Sequence, residues 1–331
     1  MTLSAEPVIE VLLPAGGDRT LSQDTRIGLS ANPKSIPPKH FYDEVGSELF
    51  EQITELPSYY PTRAEREILV SRGAELAALT ETSDLVELGS GSADKALLLI
   101  EPMLATGELQ RYLGVDVSES ALRAALKTIK AIHPELEVHG AVADMTRQLA
   151  ALPPAVGRRS VALLGGTVGN FPEQPRRRLL KAIADLAGPD GRAIIGFDKV
   201  KDPAILVAAY DEPEGVTARF NLNLLTIINR ELGADFNPAD FEHVALWNED
   251  EEWIEMRLRA RRPVSVAIDG LGVSFDFAAG EDVLTETSAK FTRQRVSDDL
   301  TSAGMEICGW FEDSESRFAL AVAKPMPAPA Q

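Results

Sequence analysis

Cysteine is almost absent. Cys308 is the sole one in 331 residues, which excludes an intrachain disulfide and a thiolate metal cluster. Positive charge is also short: 33 Lys and Arg against 51 Asp and Glu leave a net charge of −18, a surface that repels phosphate backbones and anionic membranes. Neither nucleic acid nor a membrane is expected as a partner. Arg176–Arg178, the one arginine triplet, reads as a solvated helix face. Long apolar runs are missing too. Val8–Leu13 is broken by Glu10, lacks a basic leader and is far too short to span a bilayer, so a cytoplasmic protein is expected. There is no internal repeat, and low complexity is confined to Pro325–Gln331. At this length the chain can bury a sizeable core, in one large domain or two modest ones.

What is present is organised around Asp84–Lys95. An apolar strand (Leu85, Val86, Leu88) runs into a Gly-Ser-Gly turn at Gly89 and Gly91, and a helical stretch starts at Ala93. Glycine lets the backbone turn sharply and lets a ligand approach it, while the helix start offers unpaired N–H groups. A dinucleotide fingerprint wants glycine at its sixth position, where this chain has Asp94, so NAD is disfavoured. Glu87, two residues before Gly89, makes the run resemble the E/D-x-G-x-G-x-G motif of class I S-adenosylmethionine (SAM) methyltransferases, with Ala93 for the last glycine. A bare structural turn is the competing reading.

In chain order, residues 1–20 show no sustained period and are expected to be mobile. Residues 40–53 predict an amphipathic helix, broken by Leu56–Pro61, and Thr62 with Glu65 reads as a capping box for the next helix. Beyond the organising strand, Arg111–Val117, Leu136–Ala143, Ser160–Leu164 and Gly191–Phe197 read as strands alternating with helices, which predicts a parallel, doubly wound sheet. The pattern changes after residue 200. Two helices precede an alternating, β-branched stretch over Glu242–Phe277 with a hairpin turn at Asp269-Gly270. Ile254–Arg257 and Leu284–Lys290 also read as strands. A helix after Phe291 and strands over Met305–Phe311 and Phe318–Ala323 match the closing elements of a class I methyltransferase sheet.

The expected fold is therefore α/β, a Rossmann-like sheet with an inserted α+β domain. Residues 63–199 plus 291–324 form the SAM-binding domain, 21–62 plus 200–290 the substrate-binding domain, and 325–331 a tail.

Several residues are placed for chemistry. Asp116 ends the second strand, where a carboxylate accepts from ribose hydroxyls or is simply solvated; Asp144 ends the third, facing an adenine amine or capping the next helix. Lys95 in a first helical turn is unfavourable for the helix dipole, and holds a ligand carboxylate or sits on the surface. Gly165–Asn170 follows the fourth strand, at the position facing a transferred methyl group, and Asn170 both donates and accepts; a glycine-rich turn before Pro172 is the alternative. No Asp-Pro-Pro-Tyr run occurs, which counts against methylation of bases. Aromatic residues are only 6% of the chain, yet Phe41, Tyr42, Phe50, Tyr59 and Tyr60 concentrate before the sheet, as core or as pocket lining for a cation. Glu286 and Ser288 share one strand face, as a binding edge or a plain polar one.

With those residues assembled, the chain resembles, nearly end to end, the histidine-specific Nα-methyltransferases of ergothioneine biosynthesis. The segments that carry the resemblance are Pro33–Asp43, Leu56–Arg63, Glu87–Gly91, Gly165–Asn170, Phe241–Ala245 and Leu284–Phe291. It implies trimethylation of L-histidine to hercynine, with three equivalents of SAM as co-substrate and no metal. It places SAM on Tyr59, Gly89, Lys95, Asp116 and Asp144, and the histidine amino and carboxylate groups near Asn170 and Tyr210. Tyr42 lies beside the amine with Phe50 in the same binding set, Glu286 and Ser288 hold the imidazole, and Met256 packs against it. Tyr42 and Asn170 carry the catalytic role of orienting the amine. The partners implied are histidine and its mono- and dimethylated intermediates, and a monomer is expected. Two departures, Gly166 for serine and Met145 for phenylalanine, fall on the cofactor side. The competing readings are an Nα-methyltransferase of another amino acid such as tryptophan, and a noncatalytic SAM-binding module.

Overall fold

The computed structural model describes residues 7–13 and 20–326. In chain order the first strands are β1 (Val8–Val11), β2 (Lys34–Ser35), β3 (Asp84–Leu88), β4 (Arg111–Asp116), β5 (Glu137–Val142), β6 (Arg159–Leu163) and β7 (Arg192–Asp198). They continue as β8 (Phe241–Asn248), β9 (Trp253–Ala260), β10 (Val264–Ile268), β11 (Val273–Phe277), β12 (Asp282–Ala289), β13 (Met305–Glu312) and β14 (Phe318–Pro325). The α-helices are α1 (Leu21–Ser30), α2 (Glu44–Glu55), α3 (Tyr60–Thr80), α4 (Ala93–Ala105), α5 (Glu119–Ile132), α6 (Glu173–Ala187), α7 (Pro203–Ala208), α8 (Val216–Leu232) and α9 (Arg293–Ser302). None of the helices among the described residues is long and apolar enough to cross a membrane.

The chain divides into two compact units: Met1–Ala15, Pro61–Lys199 and Phe291–Gln331 form the first, Gly16–Tyr60 and Val200–Lys290 the second. The first is built on an eight-stranded sheet in the order β1-β5-β4-β3-β6-β7-β14-β13. Neighbours run parallel except around β14, which is antiparallel to both β7 and β13. This is the α/β, Rossmann-like sheet expected from the sequence. β3 is buried along its whole length, as a parallel strand covered on both faces must be. Its helices pack by period: Leu122, Ala125, Leu126 and Ile129 put one buried stripe of α5 on the sheet, and the Ser118 hydroxyl accepts the Ala121 N–H to start that helix. Successive strands step from β3 outward through β4 and β5 on one side and through β6 and β7 on the other. The loops after β3 and β6 therefore flank the point where the order reverses, which is where open α/β sheets bind ligands.

The second unit has a four-stranded sheet, β2-β12-β9-β8, and a separate hairpin, β10-β11. β9 is antiparallel to both of its neighbours, β8 and β12, and short β2 runs parallel to β12. Apolar side chains of α2, α7 and α8 join those of β8 and β9 in one core that includes Phe220, Leu224, Ile254 and Leu258.

Four local expectations are corrected. Val8–Val11 is a strand paired parallel with β5; as an exposed edge it carries little apolar period of its own, so only the pairing defines it. The rest of the proposed mobile stretch, 1–6 and 14–19, lies outside the described residues. α3 begins at Tyr60, so Thr62 is inside the helix and does not cap it. Arg176 is buried: its Nε donates to Asp299 at 2.7 Å, its Nη1 to the Phe171 carbonyl at 3.1 Å, and its guanidinium lies 5.1 Å from the Phe291 ring centre. Pro325 closes β14, and the part of the tail from 327 onward lies outside the described residues.

Candidate active site

Of the residues singled out in the sequence, Gly89, Lys95, Asp116, Asp144 and Asn170 lie in the first unit. Tyr42, Phe50, Tyr59, Tyr210, Met256, Glu286 and Ser288 lie in the second.

In the first unit, β3 turns at Gly89 and Gly91, with φ of 71° and 42°. These angles suit glycine, and a Cβ at Gly91 would meet nothing closer than its own chain at 3.8 Å, so the turn leaves open space beside the backbone. The Asp116 carboxylate accepts the Gly91 N–H at 3.1 Å with one oxygen and the Ser118 N–H at 2.8 Å with the other, tying the ends of β3 and β4 together. Asp144 caps no α-helix: its Oδ1 accepts from the backbone and hydroxyl of Thr146, at 2.8 and 2.6 Å, and turns the chain after β5. The second oxygen is not engaged in that turn. Met145 reaches back so that its Cε lies 3.4 Å from where a Gly89 Cβ would stand.

Lys95 is not a bare surface lysine. Its Nζ donates at 2.8 Å to Glu65 of α3, a fully buried side chain whose two oxygens also take the Gly165 N–H at 2.8 and 2.9 Å. Gly165 and Gly166 both have positive φ, 76° and 68°, and open the short helical turn that ends at half-buried Asn170. Glu87 is buried beneath the glycine turn. The Tyr112 hydroxyl donates to it at 2.6 Å, but burial dominates and pushes its pKa up to about 7.

In the second unit, Tyr42, Phe50, Tyr59 and Tyr210 belong to one run of rings with Phe220. Tyr42–Phe50 and Tyr42–Phe220 centres are 5.6 and 5.7 Å apart, and Phe50–Tyr59 and Tyr59–Tyr210 are 6.5 and 6.2 Å apart. These contacts are edge-to-face, and Tyr42 is exposed. On β12, a bulge between Leu284 and Glu286 sets Glu286 opposite buried Met256 of β9. Burial raises the Glu286 pKa to about 7, opposed by the positive charge of Lys290. Ser288 bonds to the Tyr210 hydroxyl at 2.9 Å, and Lys290 donates to both, at 2.9 and 3.0 Å.

Sequence reasoning missed several of these participants. Glu65 reads locally as a capping residue, because its partners are 30 and 100 positions away. Phe220 sits inside an ordinary amphipathic helix. His243, with Asn221, holds the backbone under Tyr210. The Asn221 amide meets His243 Nδ1 at 2.9 Å, so Nε2 carries the proton it donates to the Tyr210 carbonyl at 2.8 Å, and burial lowers the imidazole pKa and keeps it neutral. Lys290 is the one with a usable signal, since the two-residue period places it on the face of Glu286 and Ser288. Among the described residues there is no group of three or more His, Cys, Asp or Glu side chains that could hold a metal ion.

The family model described as "Histidine-specific methyltransferase, SAM-dependent" matches residues 21–325. A histidine N-alpha-methyltransferase of Mycolicibacterium smegmatis is 46% identical over 323 residues, 98% of this chain and 99% of that protein. Its counterpart in Mycobacterium tuberculosis is 46% identical over 93% of this chain and 95% of its own length. "Ergothioneine biosynthesis protein 1" of Neurospora crassa is 32% identical over 66% of this chain and 26% of that longer protein.

Proposed function

The chain belongs to the SAM-dependent histidine-specific methyltransferase family, and we propose that it methylates the α-amino group of L-histidine three times, giving hercynine, the first step of ergothioneine biosynthesis. The observation that carries the substrate reading is Glu286. This half-buried carboxylate stands opposite Met256, its pKa is set by burial and Lys290, and no hydrogen-bond donor among the described residues acts on it. Such a group is poised for a donor from a ligand, and an imidazole N–H is one.

SAM supplies an electrophilic methyl group on a sulfonium. The residues of the first unit fit it: the glycine turn leaves room at the backbone, Asp116 keeps acceptor capacity for ribose hydroxyls, and Asp144 has an oxygen for the adenine amine. Lys95 serves the methionine carboxylate, sharing its ammonium with Glu65, and Tyr59 completes the cofactor set. Tyr42 and Asn170 orient the amine, Tyr210 serves the carboxylate, Glu286 and Ser288 hold the ring, and Met256 and Phe50 pack against the substrate.

Methyl transfer to nitrogen is an in-line displacement, so the protein's task is to align a neutral amine and exclude water. The ammonium loses its proton to water before each transfer, and the cationic product rests against the aromatic faces of the second unit. We take the protein as a cytoplasmic monomer that works without metal, on histidine and its two partly methylated intermediates.

Mass spectrometry of purified protein incubated with SAM and the free amino acids tests the reading directly. Trimethylhistidine is the expected dominant product. Methylation of tryptophan in preference would overturn the roles of Glu286 and Met256, and SAM binding without product would leave a noncatalytic module. Glu286→Ala is expected to lower kcat/KM for histidine by roughly tenfold or more and to narrow the preference over tryptophan, because an unpaired imidazole N–H is costly to bury.

A further inference from the structure

Lys290 is fully buried, follows directly on β12, and stands four residues beyond Glu286 and two beyond Ser288, which brings all three to one face. Its backbone is fixed, with the N–H donating to the Glu252 carbonyl at 2.7 Å. Its ammonium closes a triangle with the Tyr210 and Ser288 hydroxyls and lies 4.8 Å from the Tyr210 ring centre. Tyr210 is held at its other end by His243, so the triangle is a rigid mount. A buried ammonium gains from negative charge nearby, and Glu286 is the carboxylate on that face of the strand.

We propose that Lys290 is a positioning residue that holds Glu286 as an anion, and so makes the subsite selective for a ring that donates a single N–H. The proposal rests on the reading of Glu286 as the imidazole partner. Among the described residues, Lys290 is the charge that acts on Glu286 from its own strand. Across the sheet Glu286 meets uncharged Met256, and from the turn after α7 comes the Tyr210 hydroxyl of the triangle. Without the ammonium, burial acts on Glu286 unopposed, so a carboxyl that is about half ionised at pH 7 becomes mostly protonated, and the charge that strengthens its hold on a ring N–H is lost. The Glu286–Lys290 pair is neutral overall, so it suits an uncharged imidazole and rejects a cationic side chain through Lys290.

Two uncharged variants separate charge from packing: Lys290→Gln keeps a donor for the hydroxyls, and Lys290→Met removes it. Lys290→Arg keeps the charge. The measurement is the pH profile of kcat/KM for histidine, with KM for SAM as the control for folding. The substrate's own titrations are common to all variants, so differences between profiles report the enzyme. The acidic limb is expected to move up by about one pH unit in both uncharged variants, which raises KM for histidine about fivefold at pH 7, approaching tenfold below about pH 6, and lets it recover near pH ~9. Lys290→Arg should keep the limb in place. With Glu286→Gln introduced into both backgrounds, the difference between wild-type Lys290 and the Lys290→Gln substitution should vanish. A pH-independent loss in both uncharged variants would show that Lys290 only supports packing. A histidine profile unchanged by Glu286→Gln would instead overturn the assignment of Glu286 itself.

Discussion

The Lys95 ammonium and the Glu65 carboxylate meet at 2.8 Å, and Glu65 simultaneously receives the Gly165 N–H through both oxygens. One buried carboxylate thus ties α3 and the start of α4 to the loop after β6. Removing it leaves a lysine and an amide without their acceptor. Glu65→Ala is expected to lower stability by about 3 kcal/mol, as loss of one partner of a buried pair does, and to weaken SAM binding about tenfold. Chemical denaturation and titration calorimetry check the two effects separately.

Glu87 makes stability depend on pH. Its pKa in the folded chain is about 7 against 4.5 for the free side chain, raised chiefly by burial. Between those values the folded state binds more protons than the unfolded one, so the stability it contributes is complete below pH 4.5 and lost as pH rises through 7. The contribution is roughly 3 kcal/mol. Denaturant midpoints of the ligand-free protein should therefore fall across that window by less in Glu87→Gln than in wild type, and equal slopes would show that Glu87 does not carry the titration.

Asp84 heads β3 and is fully buried between two arginines that head β4 and β6. Arg111 donates at 2.8 and 2.9 Å and Arg159 at 2.7 Å. These are the amino ends of the strands, opposite the glycine turn. Asp84→Ala is expected to destabilise by about 4 kcal/mol by leaving buried guanidinium groups unpaired, while kcat of the folded fraction stays near wild type. A drop in kcat without loss of stability would contradict this separation.

Gly166 stands where the family pattern leads one to expect serine. Its φ of 68° is a left-handed conformation, and a Cβ would contact the Phe318 ring at 3.4 Å. Gly166→Ser should cost about 1 kcal/mol of stability from the backbone alone, read as a lower denaturation midpoint. An unchanged midpoint would mean the loop relaxes into another conformation.

Much of the molecule was legible because it is encoded locally. The glycine turn after β3, the acidic residues ending β4 and following β5, and the amphipathic period of α5 each depend on neighbours within a few positions, so the sheet and the turns at its strand ends followed from spacing. Segment likeness led to histidine, and family membership agrees with it.

Tertiary structure decided the partners. Val8–Val11 became a strand only by lying along β5, and Arg176 left solvent for Asp299, 123 residues away. Glu65 exchanged an expected cap for Lys95 and Gly165, and Lys290 gained Tyr210 from 80 positions upstream. Propensity and period act through adjacent backbone and are written in the order of residues. A buried charge takes whatever donor or acceptor the packed fold brings within hydrogen-bond reach, and that choice exists only once the chain has folded.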